Sequence, residues 1–227
     1  MSQHTSTLTV GTGLSGNRLL IGFALLLAAG LVAPFFAYPV FLMTALCFAL
    51  FACAFNLLLG YVGLLSFGHA AFLGSAAYVA GYAIKSWGWP PELVLLAGTA
   101  TGAFIGLVFG LLAIRRHGIY FAMITLALAQ MVYFFALQAP FTGGEDGLQG
   151  IPRGHFFGIL DLSQTYTIYY VVLAIFFFGF FVVFRTVHSP FGQVLKAIRE
   201  NEPRAISLGY RVNQYKLLAF VLSAALS

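Results

Sequence analysis

Hydrophobic and polar positions fall into long blocks along this chain rather than alternating. Six apolar runs stand out: Leu19 to Phe36, Val40 to Leu59, Val62 to Ile84, Leu93 to Ile114, Ile119 to Gln138 and Tyr166 to Phe184. Crossing the hydrocarbon core of a bilayer takes about 20 helical residues, and each run is near that length. A seventh run starts at Leu217 and meets the last residue, Ser227, before it is long enough to cross. The pattern predicts an all-α polytopic membrane protein with six complete transmembrane helices and the start of a seventh. Residues 1–17 read as a polar, disordered tail, and residues 18–227 as one transmembrane domain, incomplete at its C-terminal end.

One interval, residues 185–216, breaks the hydrocarbon with dense charge. Within it SPFGQVLKAIRENEPRAISLG, Ser189 to Gly209, predicts two short helices. Ser189 is a good N-cap and Pro190 suits the first helical position, where a missing N–H costs nothing. Phe191, Val194, Leu195 and Ile198 follow at i, i+3, i+4 and i+7, one apolar face of a helix. Gln193, Lys196, Arg199 and Glu200 take the other side. Pro203 stops this helix or starts the next, and Gly209 is a C-terminal stop. Such an amphipathic elbow suits two uses: docking a partner protein, or resting on anionic headgroups. Glu200, Asn201, Glu202 and Pro203 interrupt the basic run and weaken the lipid use.

Orientation follows from the Lys and Arg between the runs. With the N-terminus inside, Arg18, Arg115, Arg116, Arg185, Lys196, Arg199, Arg204, Arg211 and Lys216 are cytoplasmic, and only Lys85 and Arg153 lie outside. The elbow is then cytoplasmic. The outer loop, residues 139–165, contains FTGGEDGLQGIP. Gly143, Gly144, Gly147 and Gly150 supply turns, and Glu145 and Asp146 an acidic tip. It is either a solvated turn or a contact site for something delivered from outside.

Composition sharpens the class. Apolar residues make up 61% of the chain and charged residues 7%, against about 25% charged in soluble domains. The net charge of +5 is too scattered for a nucleic-acid stripe. Cys47 and Cys53 would face about 120° apart on one helix, so they neither pair nor match a metal spacing. GTGLSG, Gly11 to Gly16, has dinucleotide-fingerprint spacing but is followed by a membrane-length run instead of a crossover helix. GYAIKS, Gly81 to Ser86, lacks the P-loop glycine, and no G-x-S-x-G or H-E-x-x-H is present. No cofactor or metal site is expected in this chain. Energy for transport would come from a partner.

Small and polar residues inside the runs carry the remaining signal. Gly98, Gly102, Gly106 and Gly110 recur every fourth residue, a stripe that lets another helix backbone approach closely. Gly60-Tyr61-Val62-Gly63 is either a tight turn or a helix break beside a transport path. Ser66, Gly68 and His69 follow, and a His within a membrane helix is a functional candidate by default. Thr125, Gln130 and Tyr133 put polar atoms in the fifth run. Tyr61, Ser66, His69, Thr125 and Gln130 are therefore candidates for a translocation path, with interhelical hydrogen bonding the alternative. The runs contain no carboxylate, which disfavours an ion-coupled pump.

Four blocks carry a family resemblance: NLLLGYVGLLSFGHAAFLGSAAYVAGY (Asn56 to Tyr82), RRHGIYFAMITLALAQ (Arg115 to Gln130), FTGGEDGLQGIP (Phe141 to Pro152) and SPFGQVLKAIRENEPRAISLGY (Ser189 to Tyr210). In that order they resemble the permease subunits of bacterial branched-chain amino-acid ABC transporters, most closely the LivM type, with urea-type ABC permeases next. The resemblance implies a multi-pass inner-membrane importer subunit for leucine, isoleucine and valine. It implies as partners a second, homologous permease, two cytoplasmic ABC ATPases holding ATP and Mg, and a periplasmic amino-acid-binding protein near the outer loop. The elbow becomes the coupling helix, with Phe191, Leu195 and Ile198 on its apolar face. Arg199, Glu200, Asn201, Glu202, Ala205 and Gly209 match the family's cytoplasmic loop. Ala205-x-x-x-Gly209 is similar to the importer EAA loop, but Pro203 stands where that pattern has Glu, and Glu202 falls one place early. The family continues through further helices, so the chain reads as a partial sequence. Other readings are a urea or short-amide permease, a self-contained channel or secondary transporter, and, disfavoured by its lack of clustered catalytic groups, a membrane enzyme.

Overall fold

The computed structural model describes residues 16–116, 118–151, 155–156, 160–161 and 164–227. The expected N-terminal tail lies outside the described residues as far as position 15; Gly16 and Asn17 already belong to a helix. Nine α-helices are present among the described residues: α1 (Gly16–Val32), α2 (Pro39–Asn56), α3 (His69–Trp87), α4 (Pro91–Ala113), α5 (Ile119–Gln138), α6 (Thr165–Val187), α7 (Pro190–Glu200), α8 (Glu202–Ser207) and α9 (Val212–Leu226). A short antiparallel ladder, β1 (His155–Phe156) with β2 (Leu160–Asp161), lies in the α5–α6 connection. Pro39, Pro91 and Pro190 each open a helix, where their fixed φ helps and no donor is lost.

Four segments are long and apolar enough to cross a membrane: Pro39–Val62, Pro91–Ala113, Ile119–Gln138 and Thr165–Val187. The chain is a multi-pass helical membrane protein. Six complete spans at the expected boundaries are not what the described residues form. The first run gives way to a 3-10 turn at Ala33–Phe35. The third starts its helix only at His69, because Gly63 takes a left-handed φ of 79° and the chain then runs irregularly to Gly68. The last helix begins at Val212 instead of Leu217, with Asn213, Gln214 and Lys216 inside it. Burial of Lys216 explains why a charge-based boundary misplaced this start. It is 3% exposed, and its Nζ donates to Glu202 Oε2 at 2.8 Å.

Helix α4 lies against α3 on one side and α9 on the other. A Cβ at Gly98 would sit 3.8 Å from Ala76 O on α3, whereas one at Gly102 would sit 2.6 Å from Ala224 O on α9. Gly106 faces the Ala224 methyl, and Gly110 faces Leu217 and Phe220. These glycines let α9 approach within backbone contact. Helix α6 packs on α2 through Gly179 and Leu50. Phe23 of α1 packs tilted and edge-on among Phe177, Phe180 and Phe184, and Tyr169 Oη donates to Gly30 O at 2.6 Å. The core between these groups is edge-to-face aromatic, with Phe72, Phe109, Phe121 and Phe220 fully or nearly fully buried. Such ring pairs add about 0.5–1.5 kcal/mol each beyond their buried area.

Candidate functional site

The most unusual backbone lies between α2 and α3. After Asn56 the helix widens into a π-turn, Leu57–Val62. Gly63 N–H and Leu64 N–H then both reach Leu58 O, at 3.1 and 3.3 Å, and the helix ends. From Gly63 to Gly68 burial alternates: Leu64, Ser66 and Gly68 point inward, Leu65 and Phe67 outward. This is strand periodicity without a sheet. Irregular backbone in a membrane protein is tolerated where it is buried or lines a cavity, because its amides need partners. Here Phe67 N–H donates to Thr125 Oγ1 of α5 at 3.2 Å, and Gly68 N–H to Ser66 Oγ at 3.2 Å. Thr125 is fully buried and donates in turn to Ala122 O at 2.9 Å.

His69 opens α3 directly beyond the break and is 2% exposed. Its Nε2 lies 2.8 Å from Ser223 Oγ, and Ser223 donates to Ala54 O at 2.5 Å. The imidazole thus joins α2, α3 and α9 through one hydroxyl. Phe51, Phe55, Phe72 and Phe220 surround it edge-on. Its Nδ1 has no hydrogen-bond partner. Ser223 was not singled out in the sequence, since it lies in the seventh run, which is too short as written to cross.

A cavity of about 560 Å³ opens between α3, α4, α5 and the loop after α5. Its wall is mainly apolar, including Phe67, Ile105, Leu126 and Phe141, with polar atoms from Ser75, Tyr78, Thr101, Gln130, Tyr133 and Thr142. Gln130 and Tyr133 line it together, one helical turn apart. Ser66, His69 and Thr125 do not line it; they brace the break at its inner end. Tyr61 is farther still, at the elbow, where Lys196 Nζ lies 5.4 Å from its ring centroid. The five path candidates therefore divide among cavity, break and elbow. Ser75, Tyr78 and Thr101 were missed. Ser75 and Tyr78 do share one face at i, i+3, but among small residues that face reads as packing.

The elbow folds as two helices. Ser189 Oγ caps α7 by accepting from Gly192 N at 3.4 Å, and Asn201 Oδ1 caps α8 by accepting from Arg204 N at 3.1 Å. Pro203 sits in the first turn of the second helix, directly after Glu202. A Cβ at Gly192 would overlap the carbonyl oxygens of Thr186 and Val187, so glycine permits the sharp corner out of α6. Leu195 and Ile198 are buried against the chain's own core and Phe191 stacks on Tyr215, so this face is already occupied. Arg199 Nη1 donates to Gly60 O, and its stem covers Gly63. Ala205 is buried and Glu202 holds Lys216, while Glu200 and Gly209 are exposed, Gly209 with a left-handed φ of 88°. The solvent side instead shows Ile206 and Leu208, 57% and 68% exposed, among Arg204 and Arg211.

At the opposite end, Gly143, Gly144, Gly147 and Gly150 all have positive φ. Gly143 has no room for a Cβ, which would overlap Gly147 O. Gly144 to Asp146 form a 3-10 turn with Asp146 exposed, and Lys85 Nζ donates to Gln149 O at 2.9 Å. The Glu145 side chain lies outside the described residues, as do Arg153 and His117. No group of His, Cys, Asp and Glu among the described residues is arranged to hold a metal.

Residues 37–227, which include the break, the cavity and the elbow, match the family described as branched-chain amino acid transport system / permease component. The chain belongs to this family. It is 29% identical over 199 residues to the high-affinity branched-chain amino acid transport system permease protein LivM of Escherichia coli (strain K12), covering 75% of this chain and 45% of that protein. The LivM protein of Salmonella typhimurium is 30% identical over 199 residues with the same coverage. The chain thus spans about half the length of the curated relatives it matches. No solved structure matches it. The permease family match begins at residue 37, so α1 stands outside it.

Proposed function

We propose that this chain is the membrane-spanning subunit of an ABC importer for branched-chain amino acids. It is a transport subunit of the inner membrane, with ATP and Mg handled by two partner ATPases. The observation that carries this reading is the family match over residues 37–227 falling on a cavity beside a broken helix. Discontinuous helices recur at transporter substrate sites because they free backbone groups where a ligand needs them. The mainly apolar wall suits an aliphatic side chain better than urea, and Gln130, Tyr78 and Ser75 supply the few polar atoms. Helices α1 and α3 complete six crossings, with the N-terminus and the elbow cytoplasmic. The elbow meets an ATPase through Ile206, Leu208, Glu200 and Gly209, since its other apolar face is packed inside. The loop carrying Gly143, Gly144 and Asp146 faces a periplasmic binding protein. A second, homologous permease completes the pore.

The test has two stages. A mild-detergent pull-down of the natural protein should bring down a second permease and ATPases. Uptake of labelled leucine by cells expressing that set should then be competed by isoleucine and valine and not by urea. Copurification of nothing, or uptake without the ATPases, would overturn the reading.

A further inference from the structure

The elbow and the cavity are joined by one continuous piece of backbone, Gly60 to Gly68, gripped by side chains at both ends. At the elbow, Arg199 donates to Gly60 O and Lys196 lies over the Tyr61 ring. At the cavity, Thr125 accepts from Phe67 N–H, and the Phe67 ring is part of the cavity wall. Between the grips, helical hydrogen bonding stops at Leu64, whose amide still reaches back to Leu58 O. From Leu65 to Phe67 the segment has no helical hydrogen bonds, and Gly68, with φ −81° and ψ −9°, turns it into α3, so the two grips are joined by a few residues of irregular backbone. Both grips are direct contacts across elements far apart in sequence: 139 residues for Arg199 and 58 for Thr125.

We propose that Gly60–Gly68 is a transmission strap through which displacement of α7 moves the Phe67 side of the cavity, with Arg199 and Thr125 as positioning residues. Gly63 makes the strap possible twice over. Its φ of 79° ends the π-turn, and a Cβ there would press on Arg199 Cγ at 3.1 Å. Thr125 is suited to hold the other end because its hydroxyl is used on both sides, donating to Ala122 O and accepting from Phe67. A valine has the same shape and neither function, whereas serine keeps both. The strap gives the proposed importer a route from elbow to substrate cavity, and rests on that reading for its purpose. Its physical content needs only this chain.

The test is coupling between sites, read by thiol labelling in membranes. Cys47 and Cys53 are replaced by alanine, and a single cysteine is placed at Ser75, in the cavity, or at Thr167, in the separate groove between α4 and α6. Arg199→Ala should change the labelling rate at position 75 by about threefold or more, within the range of coupling through packed residues, and leave position 167 unchanged. Thr125→Val should remove most of that response, and Thr125→Ser should restore it. If Arg199→Ala does not give folded protein, Lys196→Ala supplies the same perturbation, since it removes only an exposed cation from Tyr61. An unchanged rate at position 75, an equal change at both positions, or a response that survives Thr125→Val overturns the strap. Coupling without ATP-driven leucine uptake would sink the importer reading alone, and uptake without coupling would sink the strap alone.

Discussion

Two seams of the helical bundle, α4 against α9 and α3 against α5, differ sharply in how their helices meet. On the α9 side, Gly102 and Gly106 bring backbones together until no added atom fits. On the α3–α5 side, Gly74 is just as small, yet a Cβ there would meet nothing within 4 Å, and the space beside it is the cavity. Glycine therefore means two different things within one bundle. In one seam it is a packing device that fixes two helices as a unit. In the other it preserves volume beside a wall that carries the polar groups. The lesson concerns division of labour: dispersion in the tight seam holds the scaffold, so the loose seam can stay open.

The largest expected effect comes from breaking the tight seam. Gly106→Leu should cost at least about 3 kcal/mol, the upper end for overpacking, because α9 has no flexible neighbour to yield. Most protein should then be lost from the monodisperse peak after solubilisation. Gly74→Leu is the matched contrast: it should leave that peak intact and depress leucine uptake at least tenfold by filling the cavity. Equal yields from the two variants would break the comparison.

Smaller effects sharpen it. Glu202→Gln leaves Lys216 buried without its anion and should cost about 1–3 kcal/mol, below the full cost of breaking a buried pair because Glu202 is partly exposed. Adding Lys216→Met should recover most of the loss in thermal stability. Ser223→Ala removes the hydroxyl that bridges His69 and Ala54, and should lower stability by about 1–2 kcal/mol. The smallest effect is Gly74→Ala, which should raise stability by about 0.5 kcal/mol through reduced unfolded-chain entropy, and shift the melting temperature only slightly.

Much of this was legible beforehand, and the misses have a common cause. The elbow's two helices were readable because caps and breakers are local: Ser189, Pro190, Pro203 and Gly209 each act on the few residues beside them. The inward direction of Leu195 and Ile198 was not, since an amphipathic face shows that something covers it and not what. Arg199 was read as part of an ATPase-coupling loop, and the sequence did not show that its guanidinium also holds Gly60 O. Lys216 was counted among loop cations, because a sequence shows a charge and not the carboxylate that neutralises it. The start of α3 was placed at Val62 on apolar character alone, and hydropathy carries no record of the turn that Gly63 makes.

By itself the sequence determined a helical, multi-pass membrane chain with a charged elbow, because those features follow from run length, local capping and the cost of burying charge in hydrocarbon. Tertiary structure alone decided that Ser223 of the last helix would meet His69, that Thr125 would hold Phe67, and that α5 would stand apart from the packed α3–α4 pair to leave a cavity. These depend on contacts between residues far apart along the chain, and on the shape left when many side chains pack together. No local pattern encodes either.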